Sequence, residues 1–144
     1  MSINIDVVWD PDPEQALDLP ETAVHDAVQK ALHHRSVTSG TVTVVIAGHS
    51  LVHRLNKEYL GHDYRTDVLS FVLSDPEEML EGEIYVDAEM ALERAHEFSA
   101  TPERELLRYV VHGILHLTGM DDSDEQGKSA MTIAEDAILS YIAM

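Results

Sequence analysis

The spacing of hydrophobic positions changes several times along the chain, and each change marks an element. Ile3–Trp9 alternates loosely and is rich in Ile and Val, which predicts a first strand ended by a Pro-Asp-Pro turn at Pro11–Pro13. From Pro20–Glu21 onward, Ala23, Val24, Ala27, Val28, Ala31 and Leu32 recur at helical spacing. Thr41–Ala47 is a β-branched strand, and Ser50 is placed to cap a short helix over Leu51–Leu60. Asp67–Leu73 reads as a buried strand and Glu83–Asp87 as another, beyond a turn-rich stretch. Asp87 can cap a helix running to about Phe98. Thr101–Pro102 opens the next helix, with a capping Thr and Pro at the first helical position; it should run to about Thr118 and stop at Gly119. A last helix spans roughly Asp124–Ala143. The order βαβαββααα describes one α+β domain over residues 1–144, a small mixed sheet of about four strands covered by about five helices.

Composition narrows the class. At 144 residues and 44% hydrophobic, the chain can bury a core without staples. No apolar run approaches the ~20 residues that span a bilayer, and the start carries no signal-peptide pattern, so a cytoplasmic protein is expected. With no cysteine, any metal must be held by His and carboxylate. The net charge of −18 should repel nucleic acid unless the nine cations gather in one place. Such acidity fits either ordinary solubility or a host with a salty interior, where the Debye length falls to about 3 Å at 1 M. Unfolding curves against KCl separate the two, since salt adaptation requires lower stability at low salt than at molar salt.

The chemistry concentrates in HGILHLTGMDD, residues 112–122. At about 100° per residue, Leu107, Val110, Ile114 and Leu117 share one arc of the helix, while Glu105, Arg108, His112 and His116 fall on the opposite one. His112 and His116 are therefore one turn apart with charged company, as a chelating pair needs. Gly119 permits a reversal that can return an acidic side chain over the rings. Asp122 is the first candidate and Asp121 its rival; spacing alone does not separate them. Two His and one carboxylate leave a fourth position open, the catalytic rather than structural zinc arrangement. A zinc peptidase of the H-E-x-x-H type would carry its general base at position 113, which is Gly113 here.

These residues resemble the YbeY family of single-domain metal-dependent endoribonucleases. The family pattern H-G-x-L-H-L-x-G-x-D-H is met everywhere except its last position, where Asp122 replaces His. Met131 and Glu135 match two later positions. A second block, LNKEYLGHDYRTDVLSF at Leu55–Phe71, resembles L-N-x-x-[YW]-R-G-x-x-x-P-T-D-V-L-S-F, and EGEIYVDAEMALERA resembles the segment that follows. The resemblance implies a zincin-like metal helix with His112, His116 and Asp122 holding one zinc or other divalent ion. It also implies single-strand-specific cleavage in ribosomal RNA maturation, near the 3′ end of 16S RNA, and a part in ribosome quality control. Ribosomal RNA and the small subunit are then the partners.

The family's arginine, which the resemblance implicates in cleavage, falls on Leu60; Arg65, beside the same Thr-Asp-Val-Leu-Ser-Phe strand, is the expected substitute. Arg54, Lys57 and Arg108 are expected substrate contacts. Ser70 and Thr66 are read as pinning the strand, Met131 as packing under the site, and Glu135 as either a brace for a ligand or a surface charge. Two other classes remain: a ribosome assembly factor with a structural metal, and a zincin-like peptidase, which Gly113 opposes.

Overall fold

A computed structural model describes residues 2–10, 19–98 and 100–142, with nothing to be said of the Phe98 side chain. The expected Pro11–Pro13 turn lies outside the described residues. The elements run β1 (Ile3–Trp9), α1 (Glu21–His34), β2 (Gly40–Ala47), α2 (His49–Leu60), β3 (Val68–Val72), β4 (Leu80–Asp87), α3 (Ala88–Phe98), α4 (Pro102–Leu117) and α5 (Glu125–Leu139). This is the expected βαβαββααα order.

Several boundaries shift for local reasons. Helix α2 starts two residues before the expected Leu51, because Gly48 in extended conformation, not Ser50, precedes its first turn. Strand β4 begins at Leu80 rather than Glu83, since Leu80–Gly82 extend the parallel pairing with Gly40–Val42. Strand β3 is a residue shorter at each end than expected. Helix α5 ends at Leu139, short of Ala143, and Asp124 caps it by accepting from the Gly127 amide at 2.6 Å.

The sheet is mixed, in the order β1-β2-β4-β3. β1 and β4 both run parallel to β2, whereas β3 pairs antiparallel with β4. Alternation divides the two faces. Val42, Val44, Ile46, Ile84 and Val86 join the main core, which α1, α3, α4 and α5 also line. Val45, Leu69, Phe71 and Tyr85 point the other way, into a smaller cluster with Val52 and Leu55 of α2.

Helix α4 is the hub. Leu106, Leu107, Tyr109, Val110, Val111, Gly113, Ile114, Leu115 and Leu117 are all buried, so the apolar surface is far broader than the single arc expected from the wheel. The reason is that this helix packs against α1, α3, α5 and two strands at once. Beyond its first turn, Pro102–Arg104, only the strip bearing Glu105, Arg108, His112 and His116 keeps partial exposure. Thr101 caps the helix by accepting from the Arg104 amide at 3.1 Å. Arg104 in turn donates to the carbonyls of Leu139 and Ile142, tying the end of α5 to the start of α4.

Gly113 explains how the hub sits so close to the sheet. A Cβ there would stand 2.9 Å from Val68 Cγ2 and 3.2 Å from two Ile84 methyl carbons. Its carbonyl accepts from Ser70 Oγ at 2.9 Å, so Ser70 does pin strand to helix. The glycine faces the sheet and makes room for it.

Candidate metal centre

The site begins with the end of α4. The Thr118 amide donates to the Ile114 carbonyl at 3.1 Å, and the Met120 amide reaches back to Leu115 at 3.0 Å. Gly119, at φ 101°, turns the chain in a conformation L side chains rarely adopt. Arg35, from the end of α1, donates to the Thr118 carbonyl at 3.0 Å and steadies that turn. Beyond it, the backbone of Asp121 lies against the first turn of α5, where a Cβ on Gly127 would collide with the Asp121 carbonyl.

That reversal separates the two aspartates. Asp121 turns away: Ser123 donates to it from both amide and hydroxyl, each at 2.9 Å, and these bonds hold its carboxyl below the usual range. Asp122 turns inward. Its carboxylate oxygens lie 3.5 Å from His112 Nε2 and 3.4 Å from His116 Nε2, and the two ring nitrogens are 3.0 Å apart. All three ligand atoms fall within 4.8 Å of one another, so His112, His116 and Asp122 could hold a metal ion. A tetrahedral zinc with bonds of about 2.0–2.1 Å needs ligand atoms roughly 3.3 Å apart, which these separations approach.

Glu135, buried in α5, supplies the brace. Its Oε2 lies 2.6 Å from His112 Nδ1 and its Oε1 accepts from Arg108 at 2.9 Å. With the His112 Nδ1 proton donated to this carboxylate, the Nε2 lone pair faces His116 and Asp122. Burial works against a charged His112, but the bond and charge of Glu135, with Asp67 and Asp122 beyond, outweigh it and raise its pKa. Met131, one turn before Glu135, is buried in the core beneath.

Each expected RNA contact has acidic neighbours. Arg108 is held by Glu135 and by Asp136, the latter at 2.7 Å, so its guanidinium backs the brace. Arg65 donates to Glu93 at 2.9 Å and lies 3.8 Å from the buried Asp87. Its loop is fixed by Asn56, buried within α2, whose amide group donates to the Tyr64 carbonyl at 2.9 Å. Lys57 lies 3.9 Å from Asp63 on the surface, and Arg54 borders a pocket with Asp10 and Glu89. The geometry thus gathers the three ligands, Glu135 and Arg108. Thr66 Oγ1 donates to the Val68 carbonyl at 3.4 Å, a local contact at the strand start.

Comparison with known proteins agrees with this layout. The endoribonuclease YbeY family model matches residues 12–143. Curated relatives named endoribonuclease YbeY include one from Salinibacter ruber, 46% identical over 70% of this chain and 69% of its own length. Another, from Rhodopirellula baltica, is 38% identical over 99% of this chain and 78% of its own. A solution structure of a Thermotoga maritima protein superposes with a TM-score of 0.62 at 27% identity, covering 97% of this chain and 88% of that one. By its sequence match over residues 12–143, this chain belongs to the YbeY endoribonuclease family.

Proposed function

We propose that the chain is a zinc-dependent endoribonuclease that cuts single-stranded ribosomal RNA in maturation of the 16S 3′ end and in ribosome quality control. The observation that carries this is the convergence of His112, His116 and Asp122, within a family of endoribonucleases. Zinc suits two imidazoles and a carboxylate in a chain without thiolates. Another divalent ion with borderline ligand preference is the competing choice. Residues 1–144 would act as one domain, in the cytoplasm, on RNA carried by the small ribosomal subunit. Among the described residues no helix is long and apolar enough to cross a membrane.

A cation held there supplies Lewis-acid polarisation of a phosphoryl oxygen and lowers the pKa of water beside it. The chain's own residues set the stage. Glu135 fixes the orientation and tautomer of His112, and Arg108 holds Glu135 in place. Arg65 is assigned to offset charge on the phosphate. Its bond to the exposed Glu93 carboxylate is a surface pair worth roughly 0–1 kcal/mol, so exchange for a phosphate oxygen costs little. Arg54 and Lys57 are assigned to more distant phosphates.

The peptidase reading loses ground on Gly113, which faces Val68 and Ile84, so that a base there would force those side chains to repack. Cleavage of a single-stranded ribosomal RNA fragment by wild type and by His116→Ala tests the nuclease reading. Loss of cutting in the variant supports it, while equal cutting overturns it. Arg65→Ala with zinc content unchanged and cutting intact would remove Arg65 from the mechanism.

A further inference from the structure

Across β3 from the metal helix lies a second concave feature that the metal chemistry does not use. Ser70 points to α4, whereas Phe71, the next residue, points to α2. There, Leu55, Tyr59, Phe71, Leu73, Glu83 and Tyr85 line a cavity of about 310 Å³. The rings form a corner: Tyr59 meets Phe71 edge-on at 6.0 Å and 75°, and Phe71 meets Tyr85 at 5.8 Å and 79°. Such contacts are common core packing, but this trio does not close a core. Tyr59 is 68% exposed and Leu73 54% exposed, so the aromatic walls stay open to solvent.

One carboxylate stands in the cavity. The Tyr85 hydroxyl donates to Glu83 Oε1 at 3.3 Å, and Glu83 holds acceptor capacity beyond that bond. Burial and the Glu83 charge both push the Tyr85 phenol up, which keeps it the donor. An aromatic slot with one acceptor at its wall matches a flat π-system that carries N–H donors.

We propose that this cavity is a nucleobase subsite, taking an unpaired base that bears an exocyclic amino group, stacked on the rings with the amino group bonded to Glu83. The inference rests on the endoribonuclease reading and deepens it by naming how single-stranded RNA is gripped. Charge makes the subsite useful. At a net −18, the field of the whole chain opposes its phosphate contacts, and base stacking adds grip that does not depend on a cation. Strand β3 is the sheet edge, with the metal helix against one face and the aromatic cluster on the other.

Aromatic NMR resonances of the full zinc-loaded chain, titrated with cytidine, uridine and guanosine monophosphates, provide the test. Saturable shifts of Tyr59, Phe71 and Tyr85 with the cytidine and guanosine nucleotides are expected, with uridine monophosphate bound at least about fivefold more weakly. Tyr59→Ala, at an exposed position, should weaken binding by at least about fivefold, and Glu83→Gln should erase the preference over uridine. No shifts, or equal affinity for all three nucleotides, would overturn the proposal. Shifts with tetramethylammonium but not with nucleotides would also overturn it, in favour of a cation cage. RNA cutting by wild type is scored separately. Nucleotide binding here without cutting leaves the subsite standing and removes the nuclease reading, whereas cutting without binding does the reverse.

Discussion

His112 Nδ1 and Glu135 Oε2 stand 2.6 Å apart, joined across 23 positions of sequence. This bond turns a ring that could point either nitrogen inward into one that presents Nε2 to His116 and Asp122. Because Glu135 also binds Arg108, its removal takes a partner from both neighbours at once, leaving Arg108 to Asp136 alone.

Glu135→Ala is therefore expected to weaken metal binding by about 10–100-fold, the usual scale for losing such a partner. Glu135→Gln, which keeps an acceptor for the ring proton, should fall between that variant and wild type. Chelator competition with zinc measures both. Unchanged affinity in the alanine variant would remove the brace.

Asp122→Asn and Asp121→Asn should separate cleanly. The first should bring bound metal below one ion per chain in dialysed protein, by removing the negative charge and one of the two oxygens that lie 3.5 Å from His112 Nε2 and 3.4 Å from His116 Nε2. The second should retain metal, because Asp121 is engaged with Ser123. Metal analysis of the two proteins checks the assignment, and the reverse pattern would exchange their roles.

Gly113→Ala tests the close approach of α4 to the sheet. A Cβ 2.9 Å from Val68 Cγ2 forces repacking, with an expected loss of about 1–3 kcal/mol in urea unfolding. A change near zero would mean that the Val68 and Ile84 methyls yield freely.

Asp87, which is not one of the three candidate ligands, gives a pH signature of its own. Its side chain is fully buried, and burial pushes its carboxyl above the ordinary 3.8, against the Met90 amide bond and the nearby Arg65 and His49. Above pH 3.8 the folded state then holds more protons than the unfolded one, so this residue's contribution to stability declines as pH rises through the raised value. Asp87→Asn keeps an acceptor for the Met90 amide without titrating. Urea midpoints from pH 4 upward should show wild type losing ground to the variant. A difference that stays constant or moves the other way would contradict the expected direction.

Much of this was legible in the chain itself, for local reasons. Ile3–Trp9 and Pro20–Glu21 mark their elements through β-branched residues and a helix-opening Pro, and Thr101–Pro102 starts α4 as its capping chemistry requires. The His112/His116 pair needs only helical periodicity to be found. The choice between Asp121 and Asp122 was not legible, because it depends on how the turn at Gly119 meets α5. The meaning of Gly113 was hidden as well: its absent side chain reads as a missing base until Val68 and Ile84 are seen beside it. Arg108 shows a related limit, since its two carboxylate partners lie 27 and 28 residues away. Tyr59, Phe71 and Tyr85 share no sequence period, and only the pairing of β3 with β4 under α2 brings them together.

The chemistry proposed for this chain requires a cation between His112, His116 and Asp122. An anomalous difference map of the crystallised protein, collected on both sides of the zinc absorption edge, tests it most directly. One peak per chain is expected, at bonding distance from both Nε2 atoms and an Asp122 oxygen, with the His112–Glu135 contact intact. A peak elsewhere, or none in zinc-supplied crystals, would contradict it.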